Sequence, residues 1–196
     1  MPLLLLAAGC SGDESTRTGA ASSVSSGAGD PSGSAAPEKS GSVEQAPTKH
    51  PKMVATTPAQ ARSRPETAAV NAWAEAFGKV VNTGDVDAAR GAMTPGGLDR
   101  MDHYAGLDRG RWFPGPLPVT VTSVAAPKED GMRLVQACIW KSGWSQASET
   151  DPSIEPREIA PVVIGIVEHD STWLVDGMAD DPDSTCAGVE IPTRHW

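Results

Sequence analysis

No aromatic residue precedes Trp73 in this 196-residue chain; all six Trp, both Phe and the one Tyr lie from there onward. A stretch without aromatics and with few large aliphatics buries too little apolar surface to offset chain entropy. The first third is therefore excluded as a folded domain. What remains, from about Pro65 to Trp196, suffices for one modest core. Basic clusters are lacking as well. Residues 65–196 hold 20 acidic and 10 basic residues, a net charge of -10, while the preceding residues stand near +1. An acidic domain repels phosphate backbones, which argues against a nucleic-acid partner. There is no Gly-rich phosphate loop, nucleophile elbow, zinc-helix motif or Cys/His catalytic pair. No catalytic residue, cofactor or metal site is assigned from sequence.

The chain opens with MPLLLLAAGC. Leu3 to Ala8 is an apolar run, far short of the ~20 residues that span a bilayer. Ala7, Ala8 and Gly9 are the small residues a signal peptidase needs beside its cut. The pattern resembles the lipobox of bacterial lipoproteins, which implies that Cys10 is diacylated and becomes the new N-terminus. Two features depart from that family. It usually has Leu where Ala7 stands, and a basic segment before the apolar run, which is missing here. The expectation is that the true start lies upstream of Met1. The rival reading is a chance Leu/Ala run in a cytosolic protein.

Residues 11–64 are rich in Ser, Gly, Ala, Thr and Pro. Such composition makes a flexible coil with Pro-stiffened stretches. A coil of about 50 residues has an r.m.s. reach of roughly 40 Å, enough to lift a domain off a membrane. The expected organisation is thus signal remnant and lipobox over 1–10, a disordered tether over 11–64, and one domain over 65–196. With Cys10 lipidated, Cys138 and Cys186 remain as a pair. An even remainder in an exported domain reads as a disulfide, which would staple the C-terminal segment onto a strand. Two reduced thiols or a metal pair are the alternatives, the latter weakened by the lack of a nearby His.

Pro65 suits the first position of a helix and Glu66 its first turn. Ala69, Val70, Trp73, Ala76, Phe77, Val80 and Val81 then follow at helical spacing. Gly84 fits a left-handed cap, and Asp85 can cap a short helix to Ala92. Thr94-Pro95 predicts a third helix through about Tyr104. After Pro118 the pattern turns to strands: Val119–Val124, Met132–Lys141, Ile159–Val167 and Trp173–Met178. Residues 142–158 read as a long loop and 168–172 as a hairpin turn. Helices first and a meander of about four antiparallel strands after them make an α+β domain.

This order, with Val80-Val81-Asn82-Thr83-Gly84-Asp85-Val86-Asp87-Ala88-Ala89 after the first helix, resembles the NTF2-like (SnoaL-like) superfamily over residues 66–180. The resemblance implies helices packed on a curved sheet as a cone, with a pocket between them. Some members are isomerases or dehydratases; many bind a ligand or partner without catalysis. A cystatin-like sheet with one helix is the nearest rival.

Asp102, His103 and Tyr104 lie together on the third helix, with Asp99 one turn before His103. A carboxylate four residues from a His can orient its imidazole; the rival is a solvated helix face with Tyr104 turned inward. His169 reads as an exposed turn residue. Asp176, Asp180, Asp181 and Asp183 are acidic enough to suggest calcium, but lack EF-hand spacing and read as a solvated turn. Trp112, Phe113, Trp140 and Trp144 flank two loops. They form either a ligand or partner rim or a core plug at the open end of the cone.

The reading is a lipid-anchored domain on the outer face of the cytoplasmic membrane, without evident catalysis, engaging an envelope protein or a small apolar ligand. The alternatives are an isomerase- or dehydratase-like enzyme and a structural accessory of a secretion or conjugation machine. No oligomeric state is assigned.

Overall fold

The computed structural model describes residues 52–196. Cys10 and the tether up to Pro51 lie outside the described residues. The elements are β1 (Met53–Ala55), α1 (Pro58–Ala61), α2 (Pro65–Thr83), a 3-10 turn (Val86–Ala89), α3 (Pro95–Gly106), β2 (Val119–Ala125), β3 (Arg133–Ser142), β4 (Glu158–His169) and β5 (Thr172–Asp180). The five strands form one antiparallel sheet in the order β1-β2-β3-β4-β5.

The fold class is α+β, with five strands rather than four. The added strand, β1, and the short α1 come from residues assigned above to the tether. Met53 pairs with Ala125 and Ala55 with Val124. Three residues carry no readable alternation, so their pairing is supplied by the edge of β2 and not by local pattern. Thr57 caps α1 by accepting from the Gln60 N–H, with Pro58 next to it.

α2 begins at Pro65 and ends where Gly84 adopts φ 71°, its N–H donating to the Val80 carbonyl at 2.7 Å. Only a residue without Cβ takes that left-handed cap without strain. The Asp85 carboxylate accepts from the Asp87 N–H, but the turn that follows is 3-10, not the longer helix to Ala92. Thr94 caps α3 through the Gly97 N–H at 2.9 Å. Asp170 and Ser171 both have positive φ, forming the two-residue turn that joins β4 to β5.

The core lies between α2 and one sheet face. Val70, Trp73, Phe77 and Val80 join Val121, Val135, Ala137, Ile139, Val162, Ile164, Ile166 and Val175 in one buried cluster. Alternation puts Gln136 and Cys138 on the opposite face. There the segment after β5 crosses the sheet. The Gln136 amide donates to Asp181 and Ser184, and Cys138 and Cys186 lie at disulfide distance, with S–S 2.08 Å and Cα–Cα 5.8 Å.

An ion cluster pins the start of α2 to β3. Glu66 is fully buried. Arg64 donates to both of its carboxylate oxygens at 2.8 and 3.1 Å, and Arg133 also donates to it. The Arg133 guanidinium lies 4.6 Å from the Trp173 ring centroid, where the ring face attracts it.

Candidate binding pocket

A cavity of about 190 Å³ opens at one end of the core, between α2, α3 and the sheet. Its walls are mostly apolar. α2 supplies Phe77, α3 Tyr104, the loop after α3 Phe113 and Leu117, β3 Ile139 and Trp140, and the following loop Trp144. Val162 and Met178 close it from β4 and β5. Trp140 and Trp144 meet edge to face, with centroids 5.5 Å apart and planes at 85°. Phe113 continues an aromatic row to Phe77 and Trp73, each step 5.8 Å. The mouth carries His103, Asp108, Lys141 and Asp180. Leu107, also at the mouth, is 86% exposed.

Three of the four expected rim residues line this cavity: Phe113, Trp140 and Trp144. Phe113 and Trp144 are buried, and Trp140 is half-buried. The rim and core-plug readings therefore describe the same residues, which are core on one side and pocket wall on the other. Trp112 is absent from the wall. It is half-buried, and its backbone pairs with Gln146 at 2.9 and 2.8 Å.

The wall is held from behind. The Asn82 side chain clamps the Phe113 backbone, donating to its carbonyl at 2.9 Å and accepting from its N–H at 2.6 Å. The Asn of the Asn-Thr-Gly-Asp turn thus positions a pocket residue. The C-terminal strap adds a second hold. The Trp196 indole N–H donates to the Phe113 carbonyl at 2.8 Å, and the His195 ring lies 5.4 Å from Trp144. Gly115 permits this approach, since a Cβ there would stand 1.8 Å from the Arg194 carbonyl oxygen. The Trp144 indole N–H donates to the Gly115 carbonyl at 3.2 Å.

The helix cluster Asp99, Asp102, His103 and Tyr104 is divided by the fold. Asp102 is exposed and paired with Arg109; Asp99 is exposed, with no hydrogen bond to His103 among the described residues. His103 stands at the pocket mouth, exposed, its ring 6.0 Å from Tyr104. Tyr104 reaches inward, but its hydroxyl is engaged by the Met178 backbone, donating to the carbonyl at 3.0 Å. His169 is exposed beside Asp170 in the hairpin turn. Asp176 caps the approach of α3, accepting from Thr94 at 2.7 Å and from Arg100 at 3.0 Å. Asp181 holds the strap through Gln136 and Ser184.

Asp108 is the pocket carboxyl that sequence reasoning did not single out. Burial raises its pKa above the usual value of 3.8, against the opposing charge of Arg111 and a hydrogen bond with Ser145. Arg111 is shared with Glu155 at 3.0 Å. A carboxyl poised this way at an apolar cleft can exchange hydrogen bonds with a bound group or move a proton. Its only signal in the sequence is a place just past the third helix, next to an apolar Leu107.

No family model matches the chain, and no curated protein matches it in sequence. Among solved structures, the chain shows a distant similarity. It is to the intermembrane space region of the chloroplast protein ARC6, at 17% identity and a TM-score of 0.41, covering 61% of this chain and 97% of that one.

Proposed function

We propose that this is a lipid-anchored extracytoplasmic binding domain of the NTF2-like kind, which seats one small apolar group of an envelope protein in its aromatic pocket. The anchor rests on Cys10 within Ala7-Ala8-Gly9-Cys10. The observation that carries the binding reading is the pocket itself. At about 190 Å³ it is smaller than the roughly 300–1,000 Å³ of a drug-sized site. It exceeds the roughly 150 Å³ at which an apolar cavity takes up benzene. That volume suits a single ring or a branched aliphatic side chain. The exposed Leu107 at the mouth adds apolar surface that a bound protein would cover.

Indole and toluene are suitable probes, followed by the indole N–H resonances of the protein. Both should bind saturably, and Trp140→Ala should weaken them about tenfold, equal to ~1.4 kcal/mol. Trp112→Ala, outside the wall, should leave them unchanged. Equal binding by wild type and Trp140→Ala would remove the pocket from the account.

Asp108 favours a second reading, an acid–base enzyme of the isomerase or dehydratase type. It requires that a pocket ligand be turned over and that Asp108→Asn abolish turnover while leaving binding within about twofold. Unaltered recovery of every bound ligand would dismiss it.

A further inference from the structure

We infer that the aromatic pocket is a site for a small quaternary ammonium group, a trimethylammonium, an inference that rests on the binding reading of that cavity. Five rings from separate stretches of chain meet on its wall: Phe77 of α2, Tyr104 of α3, Phe113 of the loop after it, Trp140 of β3 and Trp144 of the next loop. Trp140 and Trp144 stand at 85° to each other, and Phe77 and Phe113 at 48°, so the rings border one space from several directions. The face of an aromatic ring carries negative potential and its edge positive. A cation over such a face is attracted, the more strongly when it is removed from water. The chain already pairs its own cations this way. The Arg133 guanidinium lies 4.6 Å from the Trp173 centroid, and that of Arg157, which is off the cavity wall, lies 5.1 Å from the centroid of Trp140.

The charged groups at the mouth favour the same sign of ligand. Asp108 and Asp180 stand there against the one ammonium of Lys141. Asp108 is paired with Arg111 at 3.4 Å. Asp180 is exposed, and its side chain joins no ion pair among the described residues. Burial disfavours the charge on Asp108, and a cation seated at the cleft offsets that cost. The kind of cation follows from hydrogen bonding. The hydroxyls on the wall are engaged elsewhere: Tyr104 with the Met178 backbone, Ser142 with the Pro156 carbonyl, and Ser145 with Arg111. A primary ammonium would bring three N–H donors into a mostly apolar wall, and donors buried without partners are costly. A quaternary ammonium brings none. It has the outline of a tert-butyl group, which a cavity of about 190 Å³ admits, since benzene enters an apolar cavity of roughly 150 Å³.

The test titrates the full chain with choline and with its neutral carbon analogue, in which a tert-butyl group replaces the trimethylammonium, and follows the indole N–H resonances. Choline should bind about tenfold more tightly than the analogue. Asp180→Asn, an exposed change that leaves the core untouched, should weaken choline about threefold and leave the analogue unchanged. Trp140→Leu, which keeps apolar bulk but removes the ring, should weaken choline more than the analogue. A peptide bearing trimethyllysine should bind and its unmodified lysine counterpart should not. Tighter binding of that peptide than of choline places the group on a protein, and the reverse places it on a free solute. Equal binding of choline and the analogue, an Asp180→Asn effect shared by both, or equal binding of the two peptides would each overturn the inference. If indole and toluene bind and choline does not, this inference falls and the pocket reading stands; if none of the probes binds, both fall.

Discussion

Glu66 is a fully buried acid held by two arginines. Burial raises its pKa, but hydrogen bonding from Arg64 and the charges of Arg64 and Arg133 outweigh that, so it lies below the usual 4.5. A depressed carboxylate contributes stability at pH above its unfolded value, and that contribution is lost as pH falls through the folded value. Stability should therefore drop below about pH 4.5 in urea unfolding. Glu66→Gln should cost ~3 kcal/mol at neutral pH, the lower end for a broken buried pair, since both arginines keep some solvent. The variant should also show a shallower acid slope than wild type. Asp108 has the opposite sign. Its folded pKa is raised, so ionising it costs stability that grows as pH rises from 3.8 through the folded value. Relative to wild type, Asp108→Asn should gain stability over that window and then level off, in the same unfolding series. Pattern reading located Glu66, because a first-turn acid after Pro65 has a local reason to be there. It did not identify the partner Arg133, 67 positions away, or Asp108, whose character comes from the walls around it.

At the scale of elements, periodicity carried most of the reading. The apolar spacing of Val70, Trp73, Phe77 and Val80 marks α2, and the alternation of Val135, Ala137 and Ile139 marks the inner face of β3. What stayed illegible depends on tertiary partners. β1 exists because β2 has an edge to offer. Asp85 fits a cap, but the turn behind it tightens to 3-10. The strap is the element with most leverage on the pocket. It is tied to the sheet at Cys138–Cys186 and rests on the pocket wall at His195 and Trp196. The bridge closes a loop over a separation of 48 residues, which chain-entropy models value at about 4 kcal/mol as an upper estimate. Cys186→Ser should lower the unfolding free energy by about 2–4 kcal/mol and broaden the Trp144 and Trp196 indole resonances. An unchanged indole spectrum would mean that the strap seats itself without its covalent tie.

On the scale of the whole molecule, the tryptophans connect sequence to site. Their crowding into one domain pointed to a pocket or a plug, and the fold makes Phe113, Trp140 and Trp144 serve as both. Trp112 lies next to Phe113 in the chain but turns to a different neighbour, which adjacency alone does not reveal. The net acidic charge of the domain and its small apolar cavity fit the proposed recognition of one anchor group on a partner. All of this presumes a domain carried outside the cytoplasm on a lipid. Intact mass of the protein from the membrane fraction, with and without reductant, tests that most directly. The account predicts a chain beginning at Cys10, carrying acyl mass, that gains the mass of two hydrogens on reduction. A chain still carrying the residues before Cys10, unacylated and unchanged by reductant, would contradict it.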